Sequence, residues 1–314
     1  MSSTRLIGVP DQIYQPTLSQ LRAFVAVAAH RHFGSAASML NVSQPTLSQA
    51  LASLEQGLGT RLVERSTRKV LMTTAGTRLL DRARATVEAA DAFVAEASGL
   101  GGSLTGPLRL GLIPTVAPYV LPALLPALRS EYPDLAPYIV EDQTERLLSS
   151  LRAGALEAAV IALPSEGAGM VELPLYTEEF VLVVPEGHEL DGRSDVSLSV
   201  LASLTVLLLD DGHCLRDQTL DLCRSVDAAH PAGDTRATSL ATIVQCVAGG
   251  LGVTLVPRSA VPVEQGKGAL GVAEFAEPRP GRKMGLVYRA SSARAEEYAA
   301  MAELISRVAD PARN

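Results

Sequence analysis

The sequence is poor in aromatic residues and in cysteine. Its 314 residues include no Trp, three Cys and only 4% aromatic residues. A low and odd number of Cys does not fit a small secreted domain held together by disulfides. Apolar residues make up 47% of the chain, which is enough for sizeable cores, and the length fits two or three domains. The composition favours a multidomain globular protein whose thiols stay reduced.

Segments typical of secretion or membrane insertion are also lacking. Residues 1–16 contain no apolar signal core and are predicted to be a flexible extension. Residues 237–257 are free of charge and are the one candidate for a membrane span. They include the polar Ser239, Thr242 and Gln245 and several glycines, so we predict a buried helix, a turn and a strand instead. We expect a cytoplasmic protein without membrane contact.

Charge is distributed unevenly along the chain, whose net charge is −7. Residues 16–76 contain six Arg or Lys and two Glu, a net of +4, which leaves −11 for the remaining residues. A basic module attached to an acidic body predicts contact with nucleic acid through the N-terminal part only.

Three helices and a hairpin are predicted within this basic part. Thr17 precedes a run with 3.6-residue apolar periodicity and can cap the first helix. A second helix is predicted over residues 35–40. The third spans residues 44–58, with Ser43 as its cap and Pro45 in its first turn, where proline is well tolerated. Two short strands then follow, flanking a basic tip, which is the pattern of a wing.

A long helical stretch follows to about residue 98. Its apolar positions alternate between spacings of three and four residues, and they are Leu80, Ala83, Val87, Ala90, Val94 and Ala97. This spacing is typical of a coiled-coil seam, although an ordinary amphipathic helix has similar periodicity. We predict a dimer contact along this helix and a glycine-rich hinge after it.

Beyond the hinge, predicted strands and helices alternate. The strands are predicted at residues 108–113, 135–141, 157–162, 180–185, 205–209, 252–256 and 284–288. Such alternation implies parallel sheets with ligand sites at the strand ends. Three prolines in the helix that ends near Glu131 predict an irregular helix, and a final helix is expected over residues 293–308.

Cys214 and Cys223 are nine residues apart, after a loop that ends at Gly212. The residues between them are compatible with a short helix. On a continuous helix the two side chains would lie on opposite faces, with Cα atoms about 13.5 Å apart, whereas a disulfide requires Cα atoms within about 7 Å. If the two cysteines bond, the helix must partly unwind, which is the geometry of a redox switch. Cys246 lies in an apolar stretch and is interpreted as a small core residue.

Residues 18–76 resemble the winged helix-turn-helix of LysR-type transcription regulators. The resemblance rests on Phe24, residues 43–49, Leu54, Glu55, Gly59, Leu62, Arg65, Thr73 and Gly76. Short polar side chains at the start of the third helix suit base edges or phosphates in a major groove, and a basic wing suits phosphates or a minor groove. The predicted DNA-binding residues are Ser43, Gln44, Pro45, Thr46, Ser48, Gln49, Arg65, Arg68 and Lys69. The resemblance also implies homodimers and homotetramers on promoter DNA.

The rest of the chain resembles the OxyR-type hydrogen peroxide sensors of the same family. The matching blocks are residues 111–115, 143–144, 210–218, 236–240 and 285–289. In LysR-type regulators this part is a two-lobed α/β domain similar to periplasmic binding proteins. The implied architecture is an extension (1–16), a DNA-binding domain (17–76), a linker helix with its hinge (77–105) and a regulatory domain (106–314). Lobe I of this domain is predicted at 106–177 and 280–314, and lobe II at 178–279.

Peroxide chemistry is possible at Cys214 because a cysteine at the start of a helix is favoured as a thiolate, the nucleophilic form. His213 and Arg216 are candidates for further stabilisation of the anion. Attack on hydrogen peroxide would give a sulfenic acid, with which Cys223 could condense as the resolving residue. A thiol reductant would then reset the switch.

Four further pocket residues are implied by the resemblance alone. Thr115 and Thr144 would hydrogen-bond peroxide beside Cys214, with Asp217 lining the pocket and Arg289 supporting it. Neither a cofactor nor a metal is expected.

Three alternatives stay open. Inert cysteines would leave a LysR-type regulator that responds to a small molecule in the cleft between the lobes. A thiol peroxidase would turn over continuously, but the helix-turn-helix argues against an enzyme. A zinc site at His213, Cys214 and Cys223 lacks the usual closely spaced ligand pairs.

Overall fold

The computed structural model describes residues 14–65, 70–97, 104–165, 167–227, 236–266 and 268–309. The chain divides into two compact units, Met1–Gly101 and Gly102–Asn314. No helix in these described ranges has the length and apolar character needed to cross a bilayer.

The first unit consists of three helices, a two-stranded hairpin and a long fourth helix. Its elements are α1 (Leu18–His30), α2 (Phe33–Met39), α3 (Gln44–Leu58), β1 (Val63–Arg65), β2 (Val70–Met72) and α4 (Thr74–Ala97). Thr17 and Gln20 form a capping box at the start of α1. The second helix begins at Phe33, earlier than predicted, because His32 accepts a hydrogen bond from the Ser35 N–H and caps it.

One face of α3 is committed to the core of this unit. Leu47, Leu51 and Leu54 recur at helical spacing and are buried, together with Phe24 and Val27 of α1. The Ser43 side chain accepts a hydrogen bond from the Thr46 N–H and caps α3. The first turn of α3 is consequently well formed while its polar side chains face solvent.

The second unit is an α/β fold with one dominant sheet. Its elements are β3 (Gly106–Leu112), α5 (Ala117–Glu131), β4 (Leu135–Glu141), α6 (Thr144–Arg152), β5 (Ala158–Leu163), β6 (Met170–Pro185), β7 (Leu208–Leu209), α7 (Cys214–Ser225), β8 (Arg236–Ala237), α8 (Leu240–Ala248), β9 (Thr254–Pro257), α9 (Val261–Gln265), β10 (Leu270–Glu274), β11 (Gly281–Arg289) and α10 (Ala295–Ala309).

The sheet is mixed, which corrects the expectation of purely parallel sheets. Six of its seven strands follow the order β10-β6-β11-β5-β3-β4, and the seventh, β9, pairs with β6. Strand β3 is parallel to β4 and β5, whereas β11 is antiparallel to β5 and β6. Strand β11 therefore runs in the opposite direction to β3, β4 and β5. Its first residues lie beside the carboxyl end of β5, and its last residues lie beside the amino end of β5.

Strand β6 is much longer than predicted and belongs to two hydrophobic cores. Its first part pairs with β11, and its last residues pair with β9 and β10. One core lies around β3, β5, β11 and α10, which we call lobe I. The other lies around the end of β6, α8, β9 and β10, which we call lobe II. Strand β6 runs without a break from one lobe into the other.

Three local predictions can be compared with the structure directly. The uncharged stretch 237–257 forms α8, a turn and β9, so the prediction of a buried helix, a turn and a strand is confirmed. The helix predicted to be irregular is one continuous element, α5, despite Pro122 and Pro126 in its interior. The short strand predicted at 205–209 is reduced to Leu208–Leu209.

Candidate functional site

Helix α7 carries Cys214 as its first residue and Cys223 near its end. Both thiols are free. The helix between them is unbroken, so its rise places their Cα atoms about 13.5 Å apart. The reduced chain therefore holds the two cysteines too far apart for a disulfide.

The two cysteines also have different surroundings. Cys214 is partly buried and packs against the core of lobe I, although α7 begins in lobe II. Cys223 is 2% exposed and belongs to the core of lobe II. Cys214 thus lies at the boundary of the two lobes.

Two threonines of lobe I lie at the same boundary. Thr115 follows β3 and Thr144 begins α6, after β4, so both lie at the carboxyl ends of parallel strands. The Thr144 hydroxyl is close enough to the Cys214 thiol to favour its anion. Its buried oxygen has no well-formed hydrogen bond within the described part of the chain. This hydroxyl is free to bind a small polar molecule beside Cys214.

Arg282 is the cation of the site, and the sequence analysis missed it. Its guanidinium donates to the Thr115 hydroxyl at 2.7 Å and to the Thr115 carbonyl at 3.0 Å. It also donates to Glu178 at 2.8 and 3.0 Å, and both side chains of this ion pair are fully buried. Because arginine only donates hydrogen bonds, the Thr115 hydroxyl keeps its own proton for another acceptor.

Burial raises the pKa of the Cys214 thiol above its ordinary value. Arg282, the Leu215 N–H and Thr144 act in the opposite direction, while Asp217 raises the pKa further. Burial also raises the pKa of Cys223, with no opposing group. Cys214 is therefore the one of the pair with neighbours that assist ionisation, although burial outweighs them and raises its pKa.

His213 and Arg216, which the sequence predicted to stabilise the Cys214 anion, have different surroundings. His213 is buried, and burial lowers its pKa, with Asp210 opposing the shift and Arg146 adding to it. Arg216 forms an ion pair with Asp211 at 2.9 Å and donates to the Leu209 carbonyl. Neither His213 nor Arg216 is among the groups that shift the pKa of Cys214. The stabilising charge comes from Arg282 instead.

Arg289 is not brought to the site, which corrects its assignment as a supporting residue. Its guanidinium donates to the carbonyls of Leu151 and Leu156, at the far end of the strands. Arg289 lies seven positions after Arg282 on β11, a distance of roughly 24 Å along a strand. Since β11 is antiparallel, its first residues and not its last approach Thr115.

Gln218 is a further site residue. It lies in the matching block 210–218, but no role was predicted for it from the sequence. It lies one helical turn after Cys214, and its buried Oε1 finds no hydrogen-bond partner among the described residues. Four-residue spacing on a helix places it on the same face as Cys214. This spacing was the signal available in the sequence.

A hydrogen bond joins the two lobes next to Cys214. The Gln143 side chain of lobe I donates to the Asp211 carbonyl of lobe II at 2.9 Å. Gly212 has a φ of +88°, and a Cβ at that position would approach Gln143 Oε1 to 2.5 Å. The loop before Cys214 therefore needs glycine both for its backbone conformation and for the close approach of Gln143.

The predicted DNA-binding residues of α3 lie on one accessible surface. Ser43, Gln44, Pro45, Thr46 and Gln49 are exposed and Ser48 is partly exposed. Arg65 ends β1, paired with Val70, and its side chain is not described. Arg68 and Lys69 lie outside the described residues.

The predicted seam of α4 is only partly buried within its own unit. Ala83 packs into the core, Leu80, Val87 and Ala90 are half-buried, and Val94 is 61% exposed. Phe93 beside it is 75% exposed. The side chain of Ala97 lies outside the described residues.

Cys246 packs partly buried against the core of lobe II, as predicted for a core residue. Within the described ranges, no group of three or more His, Cys, Asp or Glu is arranged to hold a metal ion.

Both units match models of one protein family. Residues 18–77 match the bacterial regulatory helix-turn-helix protein of the lysR family, and residues 101–310 match the LysR substrate binding domain. The chain is 57% identical over 300 residues to a probable hydrogen peroxide-inducible genes activator of Mycobacterium avium, covering 96% of each. It is 42% identical over 290 residues to the DNA-binding transcriptional dual regulator OxyR of Escherichia coli strain K12, covering 92% of this chain and 94% of that protein.

Solved structures agree with these relatives. A full-length OxyR mutant from Pseudomonas aeruginosa superposes with a TM-score of 0.79 at 35% identity, covering 93% of this chain and 95% of that one. A cysteine mutant of Corynebacterium glutamicum OxyR, bound to H2O2, gives a TM-score of 0.68 at 52% identity and covers 96% and 95% of the two chains. The chain belongs to the LysR family of bacterial regulatory helix-turn-helix proteins, within its OxyR group.

Proposed function

We propose that this protein regulates transcription in response to hydrogen peroxide, with Cys214 as the reacting thiol and Cys223 as the resolving one. The observation that carries this proposal is the pair of free cysteines on one intact helix, with Cys214 facing Thr144 at the boundary of the lobes. The peroxide-related names of the relatives support the same function.

In the first step, the thiolate sulfur of Cys214 attacks one peroxide oxygen and the O–O bond breaks. Sulfur is oxidised to sulfenic acid, and the departing hydroxide takes up the proton that the Cys214 thiol released on ionising, so that it leaves as water. Thr144 Oγ1 and Gln218 Oε1 are buried polar atoms without partners in the described part of the chain, and they provide hydrogen bonds to peroxide. Arg282 and the proton of Thr115 lower the energy of the thiolate and of the developing oxyanion.

In the second step, the Cys223 thiol attacks the sulfenic sulfur of Cys214, forming the S–S bond and releasing a second water. The Cα atoms must move from about 13.5 Å to within about 7 Å of each other, so α7 must partly unwind. One peroxide is consumed for two thiols, and a thiol reductant returns the protein to its reduced form. A thiol peroxidase would consume peroxide with the same stoichiometry in each cycle, so sustained fast turnover with a thiol reductant would distinguish such an enzyme from a sensor.

The oxidised form would act on transcription through the helix-turn-helix. The exposed polar residues at the start of α3 suit promoter DNA, and the basic wing residues Arg65, Arg68 and Lys69 would add phosphate contacts. The half-exposed apolar stripe of α4 suits pairing with a second copy, as homodimers or homotetramers on a site of two-fold symmetry. We expect this to occur in the cytoplasm, where a reductant keeps both thiols available.

Peptide mass mapping tests the central claim. The reduced protein is treated briefly with one equivalent of peroxide, free thiols are alkylated, and the digest is searched for a Cys214–Cys223 cross-link. We expect the cross-link in the wild type and in Cys246→Ser, and none in Cys214→Ser. Free thiols at both positions in the wild type would overturn the peroxide mechanism and favour a small-molecule effector in the cleft between the lobes.

A further inference from the structure

Tyr119 connects the two lobes in a way that mirrors Cys214. Cys214 belongs to a helix of lobe II and packs against lobe I, whereas Tyr119 belongs to α5 of lobe I and packs against lobe II. The Tyr119 hydroxyl donates to Glu264 Oε1 of α9 at 3.0 Å. Glu264 is only 3% exposed. This is a partly buried hydrogen bond between the lobes, and its acceptor side chain is shielded from water, which strengthens it.

The Tyr119 hydroxyl remains a hydrogen-bond donor at neutral pH. Burial, together with Glu264, raises the pKa of Tyr119 far above its ordinary value. The phenol therefore remains protonated and able to donate.

Tyr119 is one helical turn away from Thr115. The Tyr119 N–H donates to the Val116 carbonyl, so the residue that contacts lobe II belongs to the same turn that holds the threonine. A shift of α5 relative to lobe II would therefore move Thr115 relative to Cys214.

The lobe II segment that carries Glu264 is also anchored at its other end. The Ser259 hydroxyl and N–H donate to Glu178, the buried partner of Arg282. Arg282 in turn holds both the hydroxyl and the carbonyl of Thr115. Two separate chains of contacts thus lead from residues 259–264 of lobe II to Thr115 of lobe I, through Tyr119 and through Arg282.

We propose that Tyr119 and Glu264 are positioning residues for the peroxide reaction, whose hydrogen bond between the lobes keeps Thr115 and Thr144 of lobe I facing Cys214 of lobe II. Neither residue needs to touch peroxide. This inference rests on the proposed function, because it assigns a cause to the rate at which Cys214 is oxidised.

Tyr119→Phe is the direct test, since it removes one hydroxyl and keeps the ring in the lobe II core. Tyr298→Phe is the matched control, because Tyr298 is a fully buried tyrosine of lobe I whose hydroxyl accepts a hydrogen bond from Ser292 of the same lobe at 3.5 Å. We expect Tyr119→Phe to lower the second-order rate of Cys214 oxidation about tenfold or more, since displacements of about 1 Å cost up to about 100-fold. Tyr298→Phe should react at the wild-type rate.

A second readout separates positioning from general loosening. Iodoacetamide should alkylate Cys214 faster in Tyr119→Phe, because the cleft opens, while alkylation of Cys223 in the lobe II core stays unchanged. A slower reaction with peroxide and a faster one with iodoacetamide cannot both come from a lost thiolate. Faster alkylation of both cysteines would instead indicate unfolding and would overturn the proposal.

Glu264→Gln provides a conservative comparison, since its amide oxygen can still accept from Tyr119. We expect peroxide to oxidise Cys214 faster in Glu264→Gln than in Tyr119→Phe. If Cys214 in Tyr119→Phe is oxidised at the wild-type rate, the positioning role is wrong and the proposed function is unaffected. If Cys214 of the wild-type protein does not react with peroxide, the proposed function is wrong. Alkylation by iodoacetamide would still show whether the Tyr119–Glu264 hydrogen bond limits access to Cys214.

Discussion

Cys214 and Cys223 share one helix but belong to two different hydrophobic cores. Cys214 packs against lobe I, and Cys223 is buried in lobe II. A disulfide between them therefore requires more than unwinding of α7, because the Cys214 side chain must also leave its contact with lobe I.

Replacing the resolving thiol should trap the first oxidation product. Cys223→Ala removes a buried thiol, and we expect Cys214 to stop at sulfenic acid and then proceed slowly to sulfinic acid, without a disulfide. Intact-mass spectra after stepwise addition of peroxide would show the added oxygens. A new disulfide between Cys214 and Cys246 in this variant would contradict the assignment of Cys223.

Arg282→Met should affect reactivity and stability together. Loss of the cation raises the pKa of Cys214 further, so the oxidation rate at neutral pH should fall and recover at higher pH. Glu178 is left buried without its ion-pair partner, which costs about 3–5 kcal/mol. Rates of alkylation against pH and urea unfolding curves report the two effects.

Arg289→Met is the control for that variant. It removes a buried arginine from the far end of the same strand. We expect it to be destabilising with the pH profile of Cys214 unchanged, and a shifted profile would mean that Arg289 acts on the site after all.

Acid should destabilise the fold through His213. Burial lowers its pKa below the ordinary 6.5, so the folded state disfavours the protonated ring. The resulting contribution to stability is present above pH 6.5 and is lost as the pH falls through the lower pKa of the folded state. Thermal midpoints measured on the acid side should decline less in His213→Asn than in the wild type. His188→Asn, in the same lobe, should decline as the wild type does.

Gly212→Ala tests the contact between the lobes beside Cys214. Alanine at a left-handed position costs about 1 kcal/mol, and here its Cβ would also displace Gln143. Gly187→Ala has a similar φ of +75° with no atom near the added Cβ, so it carries the backbone cost alone. We expect slower oxidation of Cys214 in Gly212→Ala only. Equal rates in the two variants would rule out a role for the Gln143 contact.

The surface of α3 can be tested by paired alanine substitutions. Gln44→Ala at its exposed start should weaken binding to a cognate promoter by about 1–3 kcal/mol if it contacts a base edge. Gln56→Ala is also exposed but lies at the other end of the helix, and it should bind normally. Arg65→Ala should weaken binding to all sequences alike and reduce the salt dependence. Binding titrations at two salt concentrations distinguish these outcomes.

The sequence predicted the parts of the site that are local and missed those that depend on strand direction. The spacing of Cys214 and Cys223, the cap at Ser43 and the helix 44–58 are set by neighbours within a few residues. Arg282 and Arg289 flank the same apolar strand, and only the antiparallel course of β11 decides which of them meets Thr115. Arg289 was assigned by the family resemblance alone, and the antiparallel course of β11 places Arg282 beside Thr115 instead.

The first half of β6 was missed for a related reason. Residues 170–179 contain Pro174 and five acidic or hydroxyl side chains, a composition typical of a loop. Their extended conformation depends on pairing with β11, more than a hundred residues later, and no local pattern encodes that partner.

The unbroken course of β6 through both lobes limits how they can move. If β6 slid by one residue along β11, its register would change and every one of its side chains would turn to the opposite face of the sheet. Twisting about the strand axis preserves the ladder and follows the natural coiling of sheets. Of these two movements, a twist about β6 is the one that keeps its pairing with β11 intact.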